Sequence, residues 1–135
     1  MNEITPPPPP PLPPQQSPEI PKNERDIAMW CHLIPLITGV VGLGVLGFIG
    51  PLVIMNSGNQ NSHFVSHHAK DSLNFQLSLL IYSAVILAAG FLTCGIGIIL
   101  YIPLLIISII FEIIAAVAAS KGQIYLYPLT IRLVN

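Results

Sequence analysis

The distribution of charged residues constrains this chain more than any other feature. No Asp, Glu, Lys or Arg occurs between Ile27 and Met55, and the 47 residues from Leu73 to Ala119 contain a single one, Glu112. Apolar runs of about 18 residues or more are typical of helices that cross a bilayer. Only 8% of the chain is charged, against about 25% in soluble domains. The sequence therefore predicts an all-α integral membrane protein.

The two apolar blocks predict four membrane segments. The second block is long enough for two spans, predicted at 70–90 and 96–119, because the stretch GFLTCGIG between them has three glycines and is typical of a turn. The first block, residues 27–55, is too long for one straight span and too short for two full ones. We predict a short or re-entrant hairpin there, with segments at 27–44 and 46–56; one long kinked helix is the alternative. The expected fold is a small bundle of four membrane helices.

The basic residues predict the orientation of this bundle. If the first block crosses twice, or dips into the membrane and returns, all five basic residues share one side. A single crossing would divide them two against three and leave no bias. Because basic residues concentrate on the cytoplasmic side, we expect a multi-pass protein of the bacterial inner membrane with both termini cytoplasmic. The net charge of −1 gives no indication of a nucleic-acid partner. The five residues are Lys22, Arg25, Lys70, Lys121 and Arg132.

Residues 1–26 form a separate proline-rich segment ahead of the helical domain, residues 27–135. Proline has a fixed φ and no amide donor, so the segment is predicted to be a disordered tail of polyproline II character. The motif PPPPPPLPP contains the PxxP pattern that aromatic grooves bind. A solvated spacer is the favoured interpretation, and recruitment of a soluble partner is the alternative.

A polar run, HHAKDSLNFQ at residues 67–76, leads directly into the third predicted segment. On a helix, a set of its polar residues together with one further serine falls at spacings of three and four and forms one stripe. The inner two are expected to hydrogen-bond to other helices, and the outer three to lie nearer water. We favour a packing role for the stripe; lining a functional site or pathway is the alternative. The stripe comprises His67, Lys70, Asp71, Asn74 and Ser78.

Two ionisable residues lie within the apolar blocks, His32 in the first and Glu112 in the second. An ionised group at the centre of a membrane helix is costly, so such residues are functional candidates. A proton relay between Glu112 and His32 is one hypothesis. The favoured interpretation is a protonated or snorkelling Glu112 that hydrogen-bonds to Asn74 or a serine.

The remaining patterns predict little chemistry. No nucleotide loop, hydrolase elbow or zinc motif occurs, so we expect no enzyme and no cofactor. His63, His67 and His68 lack further ligands at suitable spacing beyond Asp71, so we expect no metal site. Small residues at i, i+4 spacing predict close packing of the third and fourth helices, or homo-oligomerisation by the same device. These residues are Ala84, Ala88, Ala115 and Ala119.

The segment HAKDSLNFQLSLLIY is similar to the H-x-K-E-A-L-N-F-Q signature of the Tic-twenty-like family, the bacterial relatives of a chloroplast inner-envelope translocon subunit. The segments AMWCHLIPL, IGPLVI and YPLTIRLV agree with it in order, over roughly residues 25–134. Asp71 and Ser72 replace the usual glutamate and alanine, and MNSGNQNS replaces basic residues that often follow GPLVI. The resemblance implies four membrane helices and an association with protein translocation or membrane-protein assembly.

Three functional hypotheses follow from the sequence. The first is a component or accessory of a translocation or membrane-protein assembly complex, with the bilayer and other membrane proteins as partners. The second is a small-solute or proton carrier that uses Glu112 and His32. The third is a structural membrane bundle that recruits a soluble partner through its proline-rich tail.

Overall fold

The computed structural model describes residues 19–41, 46–57 and 61–135. These parts of the chain contain four α-helices and no strand. The helices are α1 (Lys22–Val41), α2 (Ile49–Asn56), α3 (His63–Leu92) and α4 (Tyr101–Ser120), and a 3-10 turn, Ile96–Leu100, precedes α4.

The first helix begins earlier than the predicted boundary between tail and domain. The backbone carbonyl of Pro21 accepts hydrogen bonds from the amides of Glu24 and Arg25, both at 3.1 Å. The proline run ends at Pro21, so the polar residues after it are free to adopt helical geometry and α1 begins at Lys22. Most of the predicted tail, residues 1–18, lies outside the described residues.

Helix α3 and the stretch Ile96–Ser120 are long and apolar enough to cross a membrane. Their 30 and 25 residues contain the predicted spans 70–90 and 96–119. The expectation of four membrane helices is not confirmed, because neither α1 nor α2 is among the candidate spans. Helix α2 has eight residues and is about 12 Å long, far less than a hydrocarbon core of about 30 Å.

A tight turn joins α3 to α4, as the glycines of GFLTCGIG predict. Cys94 and Gly95 both have positive φ, at 52° and 96°. The chain then doubles back so closely that a Cβ on Gly97 would lie 2.8 Å from the backbone nitrogen of Gly90. Pro103 lies in the first turn of α4, where proline is tolerated.

Helices α1 and α2 form a hairpin on one side of the bundle. Gly50 of α2 is buried against the middle of α1, where an added Cβ would lie 2.5 Å from Cγ2 of Ile34. Helix α1 packs most extensively on α4, and it also contacts α3. This arrangement agrees with the predicted hairpin, although its second arm is only eight residues long.

One end of the bundle, called here the polar end, is where α1 and α3 begin and α4 ends. Ser62 caps α3, because its hydroxyl accepts a hydrogen bond from the Val65 amide at 3.3 Å, and it also donates to the carboxylate of Glu24 at the start of α1. Nearby, Ala119 of α4 packs with Ala28 of α1. The starts of α1 and α3 are thus held beside the end of α4.

Helix α4 ends in a glycine cap. Gly122 has a φ of 72°, and its amide donates to the carbonyl of Ala119 while the Gln123 amide donates to Ala118, both at 2.9 Å. This pair of bonds is the Schellman arrangement, in which a residue with left-handed backbone reverses the chain. The reversal sends the following residues back into the bundle.

Residues 123–135, called here the C-terminal segment, have no helix or strand and lie along α3. The chain first runs away from the polar end to a turn near Leu129, whose φ is 59° and whose carbonyl accepts a hydrogen bond from the Tyr82 hydroxyl at 2.7 Å. It then returns, and Val134 lies two helical turns nearer the polar end, at Asn74.

The two ends of the bundle therefore contain different elements of the structure. Helices α1 and α2 and the C-terminal segment pack on the half nearest the polar end. The far ends of α3 and α4 have mainly each other as neighbours, and Phe91 and Leu92 are 87% and 81% exposed there. The predicted alanine packing between α3 and α4 does not form, because Ala84 and Ala88 are exposed and Ala115 packs with the side chain of Tyr127.

Candidate functional site

The inner half of the polar stripe binds the C-terminal segment. The Asn74 side chain accepts hydrogen bonds from the amides of Leu133 (2.9 Å) and Val134 (2.7 Å) and donates to the Val134 carbonyl (2.8 Å). The Ser78 hydroxyl accepts from the Ile131 amide at 2.8 Å and donates to the carbonyl of Asn74. The prediction that Asn74 and Ser78 hydrogen-bond to other helices is wrong, because both bind backbone groups of the C-terminal segment instead. Irregular backbone beside apolar helices needs hydrogen-bond partners, and these two side chains supply them.

Tyr82 extends the same stripe by one turn, and the sequence analysis missed it. Its hydroxyl donates to the carbonyl of Leu129, at the turn of the C-terminal segment. Residues 74, 78 and 82 recur every four positions, so the spacing itself could have revealed a polar row that continues into the apolar part of α3.

A buried chain of three side chains joins α1, α3 and the C-terminal segment. The Tyr127 hydroxyl is 2.8 Å from Nδ1 of His32, and Nε2 of His32 is 2.9 Å from Nδ1 of His68. Burial raises the pKa of Tyr127 well above its usual value, so its hydroxyl stays protonated and donates to His32. A neutral His32 that accepts from Tyr127 at Nδ1 donates from Nε2 to His68, whose own buried Nε2 has no hydrogen-bond partner among the described residues.

Tyr127 packs between α3 and α4 in the interior of the bundle. Its ring stacks on Phe75 of α3 with centroids 4.0 Å apart and packs against Ala115 of α4. A further link between α1 and α3 is the hydrogen bond of 2.7 Å from the Ser72 hydroxyl to the carbonyl of Cys31. The sequence analysis did not single out Tyr127 or His68 as parts of one cluster, since they are 59 positions apart in the chain.

Glu112 is 4% exposed and hydrogen-bonds to Gln76 of α3. Its partner is therefore neither Asn74 nor a serine, as the sequence analysis expected. Among the described residues no ion pair involves Glu112. The structure gives Glu112 and His32 different hydrogen-bond partners, so it does not bring them together as a direct relay.

The outer half of the stripe lines a surface pocket of about 250 Å³ at the polar end. His67, Lys70 and Asp71 form the α3 wall, and Arg132 of the C-terminal segment stands opposite them. Nδ1 of His67 and a carboxylate oxygen of Asp71 are 3.6 Å apart, and neither atom has a hydrogen-bond partner within the described part of the chain. The stripe thus divides into a buried part that holds backbone and an outer part that faces an open pocket.

The described residues contain no group of three or more His, Cys, Asp or Glu side chains that could hold a metal ion. Along α3, the rings of His63 and His67 lie 6.4 Å apart on successive turns, and Nδ1 of His67 lies 3.6 Å from Asp71. His68 turns instead towards His32 in the interior.

The sequence of residues 23–134 matches the family model MamF_MmsF, described as the magnetosome magnetite crystal formation protein family. No curated protein and no solved structure matches the chain. The matched range covers all four helices apart from Lys22 at the start of α1, and all of the C-terminal segment apart from Asn135. The resemblance to the Tic-twenty-like family is therefore wrong, and the expectation of a translocation role, which depended on it, loses its support. The chain is a membrane-associated protein that belongs to the MamF and MmsF family of magnetosome magnetite crystal formation proteins.

Proposed function

We propose that this protein is a multi-pass membrane protein that takes part in magnetite crystal formation at the magnetosome membrane. The observation that carries the proposal is the family match over residues 23–134. Two features of the fold support it. The α3–α4 hairpin provides two helices suited to crossing a bilayer, and the polar end displays the pocket formed by α3 and the C-terminal segment.

The proposed orientation has the polar end on the cytoplasmic side. Lys22 and Arg25 lie in the first turns of α1, Lys121 caps α4, and Lys70 and Arg132 both line the pocket. All five basic residues thus lie in the polar half of the bundle, which is the distribution that the positive-inside rule favours for a cytoplasmic end. With α3 and α4 as the spans, α1 and α2 form a hairpin that enters and leaves on that same side.

Gene replacement tests the proposed function. In a magnetite-forming bacterium that lacks its own family member, the full chain is expected to restore crystal size, measured by electron microscopy, and to fractionate with magnetosome membranes. The matched control is Val85→Arg, because Val85 of α3 is 63% exposed. A charge at this position disfavours membrane insertion by about 2.5–3.5 kcal/mol. A correctly inserted chain that leaves crystals as they are in the deletion strain would contradict the proposal.

No contact favours the carrier hypothesis over this proposal, because Glu112 and His32 have separate partners. Glu112→Gln still tests it, since the amide keeps a hydrogen-bonding group opposite Gln76 while removing the titratable proton. A carrier that depends on Glu112 loses transport in reconstituted vesicles, whereas a packing residue tolerates the change. The hypothesis of a partner for the proline-rich tail concerns residues outside the described part of the chain.

A further inference from the structure

We propose that the pocket at the polar end binds the phosphate group of a phospholipid headgroup. The proposal goes beyond magnetite formation, because it concerns the lipid that surrounds the protein, and it does not depend on that function. It rests on the charges in the pocket, on its position relative to the apolar surface, and on the two-sided character of the segment that forms one wall.

The charges in the pocket suit a phosphate diester. Lys70 of α3 and Arg132 of the C-terminal segment both line the pocket, and each carries a cationic group that donates hydrogen bonds to phosphate. The hydroxyl of Ser66 is also in the lining. The carboxylate of Asp71 is only 13% exposed and directs one oxygen towards His67. Asp71 also lines the pocket and lies close enough to Arg132 for their charges to interact, so an incoming anion meets the two cationic side chains together with this largely buried carboxylate.

The pocket lies where the polar part of α3 gives way to its apolar part. Asp71 is the last charged residue of α3, and the chain has no further charge until Glu112. Beyond the pocket, α3 presents exposed apolar residues, including Ile81 at 40% and Val85 at 63%. A group bound between Lys70 and Arg132 would thus sit at the level of lipid headgroups, and basic pockets at this level of membrane helices bind phosphate-bearing lipids.

The C-terminal segment separates the headgroup level from the acyl chains. Arg132 and Val134 line the pocket, while the neighbouring residues Ile131 and Leu133 are 40% and 55% exposed. Alternate residues of an extended chain point in opposite directions, so the segment has a polar side and an apolar side. A phospholipid can satisfy both sides with its phosphate and its acyl chains, whereas free phosphate satisfies only one.

Lipid binding to the purified, delipidated full chain tests the proposal. Native mass spectrometry is used with three probes: phosphatidylglycerol, diacylglycerol with the same acyl chains, and inorganic phosphate. We expect phosphatidylglycerol to bind much more tightly than either of the others. Replacing Lys70 or Arg132 by Gln should weaken it by at least about tenfold, the loss expected for one charge-assisted hydrogen bond.

The control variants distinguish loss of the binding site from loss of an unrelated charge and from loss of folding. Lys121→Gln removes an exposed cation at the same end but outside the pocket and should leave binding unchanged, and Lys70→Arg should retain it. The thermal unfolding temperature of each variant shows whether it remains folded. Three outcomes would overturn the proposal: equal binding of diacylglycerol, equal binding of inorganic phosphate, or unchanged phosphatidylglycerol binding in a folded variant that lacks both cations.

Discussion

Asn74→Leu tests the role assigned to the inner stripe most directly. The wild-type side chain makes three hydrogen bonds to the backbone of Leu133 and Val134, at 2.7–2.9 Å. Leucine has a similar volume and no hydrogen-bonding group, so the substitution removes these bonds without opening a large cavity. Tyr127 remains held by His32 and Phe75. We therefore expect the returning part of the C-terminal segment to detach while the helices stay packed.

The size of the effect follows from the number of bonds. A hydrogen bond between neutral groups contributes about 1 kcal/mol net, so three contribute about 3 kcal/mol to the closed state. Since 1.4 kcal/mol corresponds to a factor of ten, protection of the Leu133 and Val134 amides from hydrogen exchange should fall by roughly 100-fold. Leu133 is half exposed, so water replaces part of this, and a fall of about tenfold is the lower bound.

Hydrogen exchange followed by mass spectrometry, with the protein in nanodiscs, measures this protection. The matched control is Asn56→Leu, because among the described residues the side chain of Asn56 bonds to the carbonyl of Leu52 within its own helix. The control should leave exchange at Leu133 and Val134 as in the wild type. Unchanged protection of these two amides in Asn74→Leu would refute the assignment of the stripe as the anchor of the C-terminal segment.

Three further predictions concern Tyr127, the α1–α2 hairpin and the turn between α3 and α4. Tyr127→Phe removes the donor to His32 and should lower the free energy of unfolding, measured by chemical denaturation, by about 1–3 kcal/mol. Because burial raises the pKa of Tyr127, the stability of the wild type should also fall as pH rises above 10.0, the usual pKa of tyrosine. The Phe variant should lack that part of the fall. Gly50→Ala should destabilise the protein by about 1–3 kcal/mol through overpacking, measured as a lower thermal unfolding temperature. Gly39→Ala, where no described atom lies within 4 Å of the added Cβ, should be neutral or stabilising in the same measurement. Equal effects of the two changes would contradict the close packing of α2 on α1. Cys94, exposed at the turn, should react with a membrane-impermeant maleimide added to intact cells that carry the protein in their inner membrane, and protection until the cells are opened would reverse the proposed orientation.

The helix hairpin could be predicted from the sequence because its signals are local. Apolar length defines α3 and α4, the glycines of residues 90–97 define their turn, and Gly122 defines the end of α4. Each of these features depends on residues within a few positions of one another. Local backbone geometry and hydropathy are sufficient for such elements.

The course of the C-terminal segment could not be predicted in the same way. It has no helical or strand periodicity, and its partners on α3 lie 47–60 positions earlier in the chain. The sequence did indicate that Asn74 and Ser78 need partners, but hydrogen-bonding need does not identify a partner. The same limit applies to His32, whose neighbours Tyr127 and His68 come from different elements.

The incorrect family assignment has a physical reason as well. The motif HAKDSLNFQ that suggested it contributes Ser72, Asn74 and Phe75 to contacts that hold α1 and the C-terminal segment against α3. A motif that is used for packing can recur wherever a polar helix end must enter a bundle. It therefore identifies an architecture more readily than a biological role.

The unequal composition of the two ends has a mechanical consequence for the surrounding membrane. The polar half contains α1, α2 and the C-terminal segment besides α3 and α4, while the far half contains little more than the ends of α3 and α4. In the proposed insertion, with α3 and α4 as the spans, such a molecule displaces more lipid from the leaflet at its polar end than from the opposite leaflet. This difference is accommodated with least strain where the polar end lies in the convex leaflet, so we infer that the protein favours strongly curved vesicles over flat bilayer.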